Sequence, residues 1–212
     1  MSFIIWRNSV FYSKNISKFN IFCIFPKTKC KKLRILITII FIIYQNLAFS
    51  QSYLGWITNQ VNFRSQPDKS SEVISSLKAG TQIFIISSET ENDFYNIIDI
   101  NTNTEGYVHK SFVKLGDYVP KSNGGLFSPD GSSSSYNPEV SIYNNTSKTL
   151  TLKLNSEVYS FSPSERKTIT ISPGIYDYRA SAPGVLPNIG SESLRSNTKY
   201  SWKFYIQTKW GY

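Results

Sequence analysis

Two serine–lysine pairs, Ser75 with Lys78 and Ser164 with Lys167, have the S-x-x-K spacing of a serine nucleophile and its lysine. That chemistry needs the serine at the start of a helix, together with partner motifs such as K-T-G. Both matches lie in β-rich stretches and no K-T-G occurs, so both read as chance. His109 is the one histidine, so a Ser–His–Asp triad could use no other, and no G-x-S-x-G elbow presents a serine. A lone histidine cannot build a metal site either, and His109 reads as a surface residue. Glu89, Glu91 and Asp93 cluster with no apolar stretch to raise a carboxyl pKa, and read as a solvated turn. The chain is therefore expected to be no enzyme and to use no metal or cofactor.

Residues suited to recognition are easier to find. Arg64 stands beside Asn62 on the polar side of an alternating stretch and could grip a carboxylate bidentately. The reading to be preferred over that one is that it ties the neighbouring Pro67 turn to the barrel. Tyr95 and Tyr107 could be stacking platforms or half-buried core aromatics. Val185 and Leu186 lie in the Pro/Gly-stiffened apolar stretch Ala182 to Gly190, read as a loop between two strands and a possible contact site.

The elements that hold Asn62 and Arg64 are short strands. Val61 and Phe63 alternate with Asn62 and Arg64, which leaves one face apolar and one polar. Ser65 to Asp68 is a turn, because Pro67 fixes φ and Asp68 can bond its own backbone. Val73, Ile74 and Leu77 supply the next apolar surface. Gly80 is placed for a reversal at φ > 0, and Gly106 for a bend where backbones approach closely. Gln82 to Ile86, Phe94 to Ile100 and Glu105 to His109 complete the set, with Ser111 to Leu115 ending the unit. Five short strands with turn signals between them predict a small barrel over 51–115.

The order VNFRSQP, SSEVISSLKAGT, FYNI, EGYVHKSFV resembles the bacterial Src-homology-3 (SH3b-type) domain over about Val61 to Leu115, and from Gly55 at the widest. That family's usual pattern runs Asn-x-Arg, a Pro turn, an apolar pair ahead of Gly, Trp-x-x-Val and Gly-Trp-Val. Here Tyr95 stands where Trp is usual, and Tyr107 replaces the Trp of Gly-Trp-Val. The resemblance implies a five-stranded barrel that accompanies cell-envelope proteins and in some relatives binds peptidoglycan or its stem peptides.

The formal net charge of +9 suggests nucleic acid or an anionic surface as partner, but its position argues against that. Residues 1–50 hold eight of the 23 Lys/Arg and none of the 14 Asp/Glu, or +8; residues 51–212 hold fifteen bases against fourteen acids, or +1. No basic cluster with interleaved aromatics follows the leader, so nucleic acid is excluded. Cys23 and Cys30 also lie in the first fifty residues, which leaves no disulfide framework beyond them. Lys29, Lys31, Lys32 and Arg34, the apolar run Ile35 to Tyr44, and Ala48-Phe49-Ser50 form the three parts of a secretory signal peptide. Cleavage is predicted between Ser50 and Gln51. The apolar run is too short for the roughly twenty residues of a membrane span. A secreted or periplasmic, cell-envelope location is expected, with no stable span after cleavage. Residues 1–30 read as a long basic region or as a start placed too early.

Residues 116–138 are rich in Gly, Ser, Pro and Asn, a composition that predicts a flexible connector between independently moving units. Leu126 and Phe127 within it are a pair that could dock on a neighbouring unit. From 139 to 212, Leu150, Leu152 and Leu154 alternate with Thr151 and Lys153, as do Thr168 to Ile171 and Tyr200 to Ile206. No helical period occurs, so this part is expected to be an antiparallel β-sandwich. A Ser-Pro-Gly, Tyr-x-Tyr pattern within it resembles accessory β-sandwich modules of envelope proteins over some twenty residues. Tyr200, Trp202 and Phe204 share a face and read as core, while terminal Trp210 and Tyr212 are the more exposed aromatics. The fold class expected is all-β: an SH3-like barrel and a β-sandwich joined by a flexible linker. Its function is expected to be a non-catalytic, exported envelope-binding module for peptidoglycan or another envelope glycan or peptide. The alternative is a protein–protein adaptor in a secreted or envelope-bound complex.

Overall fold

The computed structural model describes residues 51–206, which belong to one compact unit. The signal peptide expected from the sequence, the segment 1–30 before it, Trp210 and Tyr212 lie outside the described residues. The fold is all-β.

Seven strands form the first sheet: β1 (Ser52–Ile57), β2 (Val61–Arg64), β3 (Val73–Leu77), β4 (Gln82–Ile85), β5 (Phe94–Asp99), β6 (Thr104–His109) and β7 (Val113–Val119). Their order is β3-β2-β6-β5-β4-β1-β7, every pair antiparallel. The sheet has to curl, because strands far apart in that order share one core. Leu77 of β3 and Phe63 of β2 are buried with Ile57 of β1, Ile83 and Ile85 of β4, Ile97 and Val108. The Gly80 N–H donates to the Ile57 carbonyl at 2.8 Å, closing β3 onto β1. Gly80 has φ 82°, the left-handed value its turn requires. A Cβ on Gly106 would lie 2.7 Å from both the Arg64 carbonyl oxygen and the Phe63 ring, so β6 passes β2 at a separation only glycine allows. Both glycines do what their positions in the sequence predict. The sheet exceeds the five strands expected for two reasons. Ser52–Ile57 pairs with both β4 and β7, and a 3-10 turn at Lys110–Phe112 divides the last predicted strand in two.

Eight strands form the sandwich: β8 (Ser128–Ser132), β9 (Glu139–Asn144), β10 (Leu150–Leu154), β11 (Glu157–Phe161), β12 (Arg166–Thr170), β13 (Gly174–Ala182), β14 (Val185–Leu194) and β15 (Thr198–Phe204). One sheet runs β11-β10-β13-β14, the other β12-β9-β15-β8. Leu150, Leu152 and Leu154 of the first face Val140, Ile142, Tyr200 and Phe204 of the second in one buried cluster, with Trp202 packed against it. The alternation places these residues inward, as the sequence predicts. The pair β9–β15 is parallel; the other paired strands are antiparallel. Asn144, fully buried, holds the end of β9: its Nδ2 donates to the carbonyls of Lys148, Phe161 and Ser162 at 2.8–3.0 Å, and its Oδ1 accepts from Thr146 at 2.8 Å.

Two sequence expectations are corrected here. Val185 and Leu186 are not in a loop: they begin β14, and only Pro183 and Gly184 form the turn from β13. The prolines of this stretch suggest a loop, but β14 is an edge strand and the register shifts at Ala180/Ala182, opposite Pro187, where a missing N–H is tolerated. The connector also does more than its composition suggests. It contains the end of β7 and all of β8, and Phe127 in it is buried. The Ser122 N–H donates to the Ile189 carbonyl at 2.7 Å, Tyr178 Oη to the Gly124 carbonyl at 3.1 Å, and the Phe127 N–H to Glu192 Oε2 at 2.9 Å.

Barrel and sandwich also pack directly, so independent movement is not the arrangement found. Phe84 and Ile98, on the outer face of β4 and β5, are buried with Ile189 of β14. Each such side chain contributes on the order of 1.5–3 kcal/mol by leaving water. Arg179 and Lys153 lie 2.5 and 3.6 Å from the Glu105 carboxylate, and the Gly184 N–H donates to the Ile100 carbonyl at 2.7 Å.

Candidate ligand-binding groove

A groove of about 680 Å³ opens on the barrel, between β2 and the turn that joins β6 to β7. Its polar wall comes from β2 and the loop after it: Asn62, Arg64 and Lys69. The alternation that buries Phe63 turns Asn62 and Arg64 the other way. Its aromatic wall is Phe94, His109 and Phe112. Phe94 meets the His109 ring edge-on, with centroids 5.2 Å apart and planes at 88°. His109 meets Phe112 at 6.3 Å and 71°. These are the offset geometries that ring quadrupoles prefer.

The 3-10 turn fixes the wall. His109 caps it, its Nδ1 lying 3.4 Å from the Ser111 N–H donor and 2.8 Å from Ser111 Oγ. With Nδ1 accepting from the backbone, the neutral ring carries its proton on Nε2 and can donate there. Lys110 pairs with Asp93 at 2.7 Å, and its N–H donates to the Asp93 carbonyl at 2.8 Å, which holds the turn against the start of β5. Asn92 and Asp93, at φ 49° and 69°, make the tight bend this needs.

Arg64 has a structural task as well. Its Nη1 donates to the Ser71 carbonyl at 2.6 Å and so clamps the Pro67 turn. Hydrogen bonds from the Ser70 hydroxyl and N–H, helped by the Arg64 charge, hold the Asp68 carboxyl below its ordinary value against a small opposing effect of burial. The guanidinium still faces the groove.

Of the six candidate residues named from sequence, the groove unites Asn62 and Arg64. Tyr95, half-buried, packs against the barrel core. Tyr107 pairs with Arg64 across β2 and β6 but lines a separate hollow of about 240 Å³ with Glu89, Glu91 and Asn96. Burial, then the charges of Glu91 and Glu105, raise its hydroxyl pKa. Val185 and Leu186 lie on the sandwich, beside Leu126 and Trp202. Sequence reading missed His109, Phe94 and Phe112. The His-x-x-Phe spacing was visible, but the contact that gives it meaning comes from Phe94 on another strand.

The groove combines two cationic side chains, the amides of Gln60 and Asn62, an imidazole and two phenyl rings, which suits an anionic or amphipathic ligand. Ser75 lies in strand β3 and Ser164 in a turn at φ 62°, so neither S-x-x-K serine starts a helix. Among the described residues, no group of three or more His, Cys, Asp and Glu could hold a metal, and no helix is long and apolar enough to cross a membrane.

No curated protein and no solved structure gives a significant match to the chain. Residues 59–114, a span that includes every groove residue and stops short of the sandwich, match the family model for the bacterial SH3 domain, a family of binding modules.

Proposed function

We propose that the protein is a non-catalytic, exported cell-envelope module whose barrel groove binds peptidoglycan or another envelope glycan or peptide. The observation that carries this reading is the facing pair of walls: Arg64 and Lys69 on one side, the edge-packed Phe94, His109 and Phe112 on the other. A peptide carboxylate would sit against the cations, where charge-assisted hydrogen bonds are strongest. The apolar part of the ligand would cover Phe112, and a carbonyl would accept from His109. Export is supported by the basic, apolar and small-residue series that ends at Ser50. Co-sedimentation of the full chain with purified cell wall tests the reading. Retention that falls about tenfold in His109→Ala and Phe112→Ala supports it, and absence of retention at low salt overturns it.

One observation favours the adaptor reading. Edge strand β3 exposes Val73 and Ile74, 44% and 40% accessible, next to the groove residue Ser76. An unpaired edge of this kind can accept a partner's strand. Affinity purification from envelope extracts tests it: a partner lost on Ile74→Lys, with cell-wall retention unchanged, would favour the adaptor.

A further inference from the structure

We infer that the outer face of the β12-β9-β15-β8 sheet is a second binding site, one that takes a pyranose carrying a carboxylate. This site lies wholly on the sandwich and does not rest on the reading of the barrel groove.

The register sets out two adjacent rows. Tyr143 of β9 is paired with Arg166 of β12 on one side and Lys203 of β15 on the other. Two residues back, Ser141 is paired with Thr168 and Ser201, and Ser201 in turn with Ser128 of β8. Val140 and Ile142, which alternate with these residues, are fully buried, so both rows face outward. The result is a cation–aromatic–cation row beside a row of four hydroxyls. Strands about 4.8 Å apart put the two cationic residues about 10 Å from each other across Tyr143, close to the width of one sugar ring with its substituents.

The face is concave rather than flat. Pairing of β8 with β15 ends at Ser128–Ser201, so among the described residues β15 has no neighbour on that side from Trp202 onward. Leu126, Asp130 and Tyr205 rim the resulting hollow of about 650 Å³, whose lining holds Arg166 and Lys203 against the single acid Asp130 and takes in Ser128, Ser141 and Ser201 but not Thr168.

Each group has a task. The Arg166 guanidinium carbon sits 4.7 Å from the centre of the Tyr143 ring. This stacking holds the guanidinium plane and leaves its N–H edges free for a carboxylate. Among the described residues neither Arg166 nor Lys203 has an acidic partner, and none of the four hydroxyls makes a hydrogen bond within the protein. Two unpaired cations with a row of free hydroxyls match a carboxylate on a polyhydroxylated ring. Tyr205, 57% exposed, offers the face on which the C–H side of that ring can stack.

Two sources supply this chemistry: uronic acids, with the carboxylate on the ring carbon chain, and muramic acid, with it on a lactyl ether. Isothermal titration of the full chain distinguishes them, using oligogalacturonate, an N-acetylglucosamine–N-acetylmuramic acid fragment without peptide, and a neutral chito-oligosaccharide. At least one acidic saccharide is expected to bind at least tenfold more tightly than the neutral one. Arg166→Gln and Lys203→Gln should each weaken that binding about tenfold, and Arg166→Lys by less. Lys114→Gln, a charge-matched change at an exposed β7 position that lines neither the barrel groove nor this hollow, should leave it within twofold. Binding by neither acidic saccharide, equal binding of the neutral one, or unchanged affinity in Arg166→Gln would overturn the inference.

Discussion

Arg179 of β13 donates to the Glu105 carboxylate of β6 at 2.5 Å, and this contact joins sandwich to barrel. The Arg179 side chain is 12% exposed and that of Glu105 33%. Removing Glu105 strands a nearly buried guanidinium, whereas removing Arg179 leaves Glu105 with Lys153. Glu105→Ala is expected to cost about 2–3 kcal/mol, below the range of a fully buried pair, and Arg179→Ala less. Urea unfolding midpoints at neutral pH check the order of the two.

The same carboxylate sets a pH dependence. Burial alone would raise the Glu105 pKa; the Arg179 charge and hydrogen bond, with Lys153 and Asn96, outweigh it and bring the value below the ordinary 4.5. A group whose folded pKa is depressed stabilises the fold above its unfolded pKa and loses that contribution as pH falls through the folded one. Stability from this group should thus be complete above about pH 5 and decline from about pH 4.5 downward. Glu105→Gln should flatten that decline in thermal unfolding measured from pH 6 to pH 3.

Gly80 and Gly106 should fail for different reasons when replaced by alanine. At Gly106 the added methyl meets the Arg64 carbonyl and Phe63 ring, and overpacking of this kind costs about 2 kcal/mol. At Gly80 nothing lies within 4 Å, and only the left-handed φ resists, at about 1 kcal/mol. Chemical denaturation of both variants checks the order, and Gly80→Asn should recover part of the loss because asparagine tolerates that φ.

Asn144 is expected to be the costliest single polar residue of the sandwich. Its side chain satisfies three carbonyls and a hydroxyl at a fully buried position. Asn144→Ala leaves those groups unpaired and should cost about 3 kcal/mol. Asn144→Asp should do no better, since a carboxylate cannot donate to carbonyls. Thermal unfolding of both variants checks this.

What was legible in the sequence was local. Alternation in Leu150 to Leu154 and the turn at Gly80 depend on neighbours along the chain, and both were read correctly. The connector was misread as freely moving because what pins it is remote: the Phe127 N–H meets Glu192, 65 residues away, through a backbone group that composition cannot report. Pro187 misled in the opposite sense, since a proline bars a central strand but not an edge. In the groove, Arg64 was found because its pattern is contiguous. His109 was dismissed because its neighbour Phe94 arrives from another strand.

The central claim is that the barrel groove holds an envelope ligand, and the most direct measurement is retention of the full chain on purified cell wall for wild type, Phe112→Ala and Arg64→Lys. Phe112 is half-buried, packs against the barrel core and lies outside the Arg64 clamp, so its loss should lower retention about tenfold at a stability cost of about 1–2 kcal/mol that leaves the barrel folded. Arg64→Lys should lower both retention and stability, because the guanidinium also holds the Ser71 carbonyl. Retention equal to wild type in both variants would contradict the account.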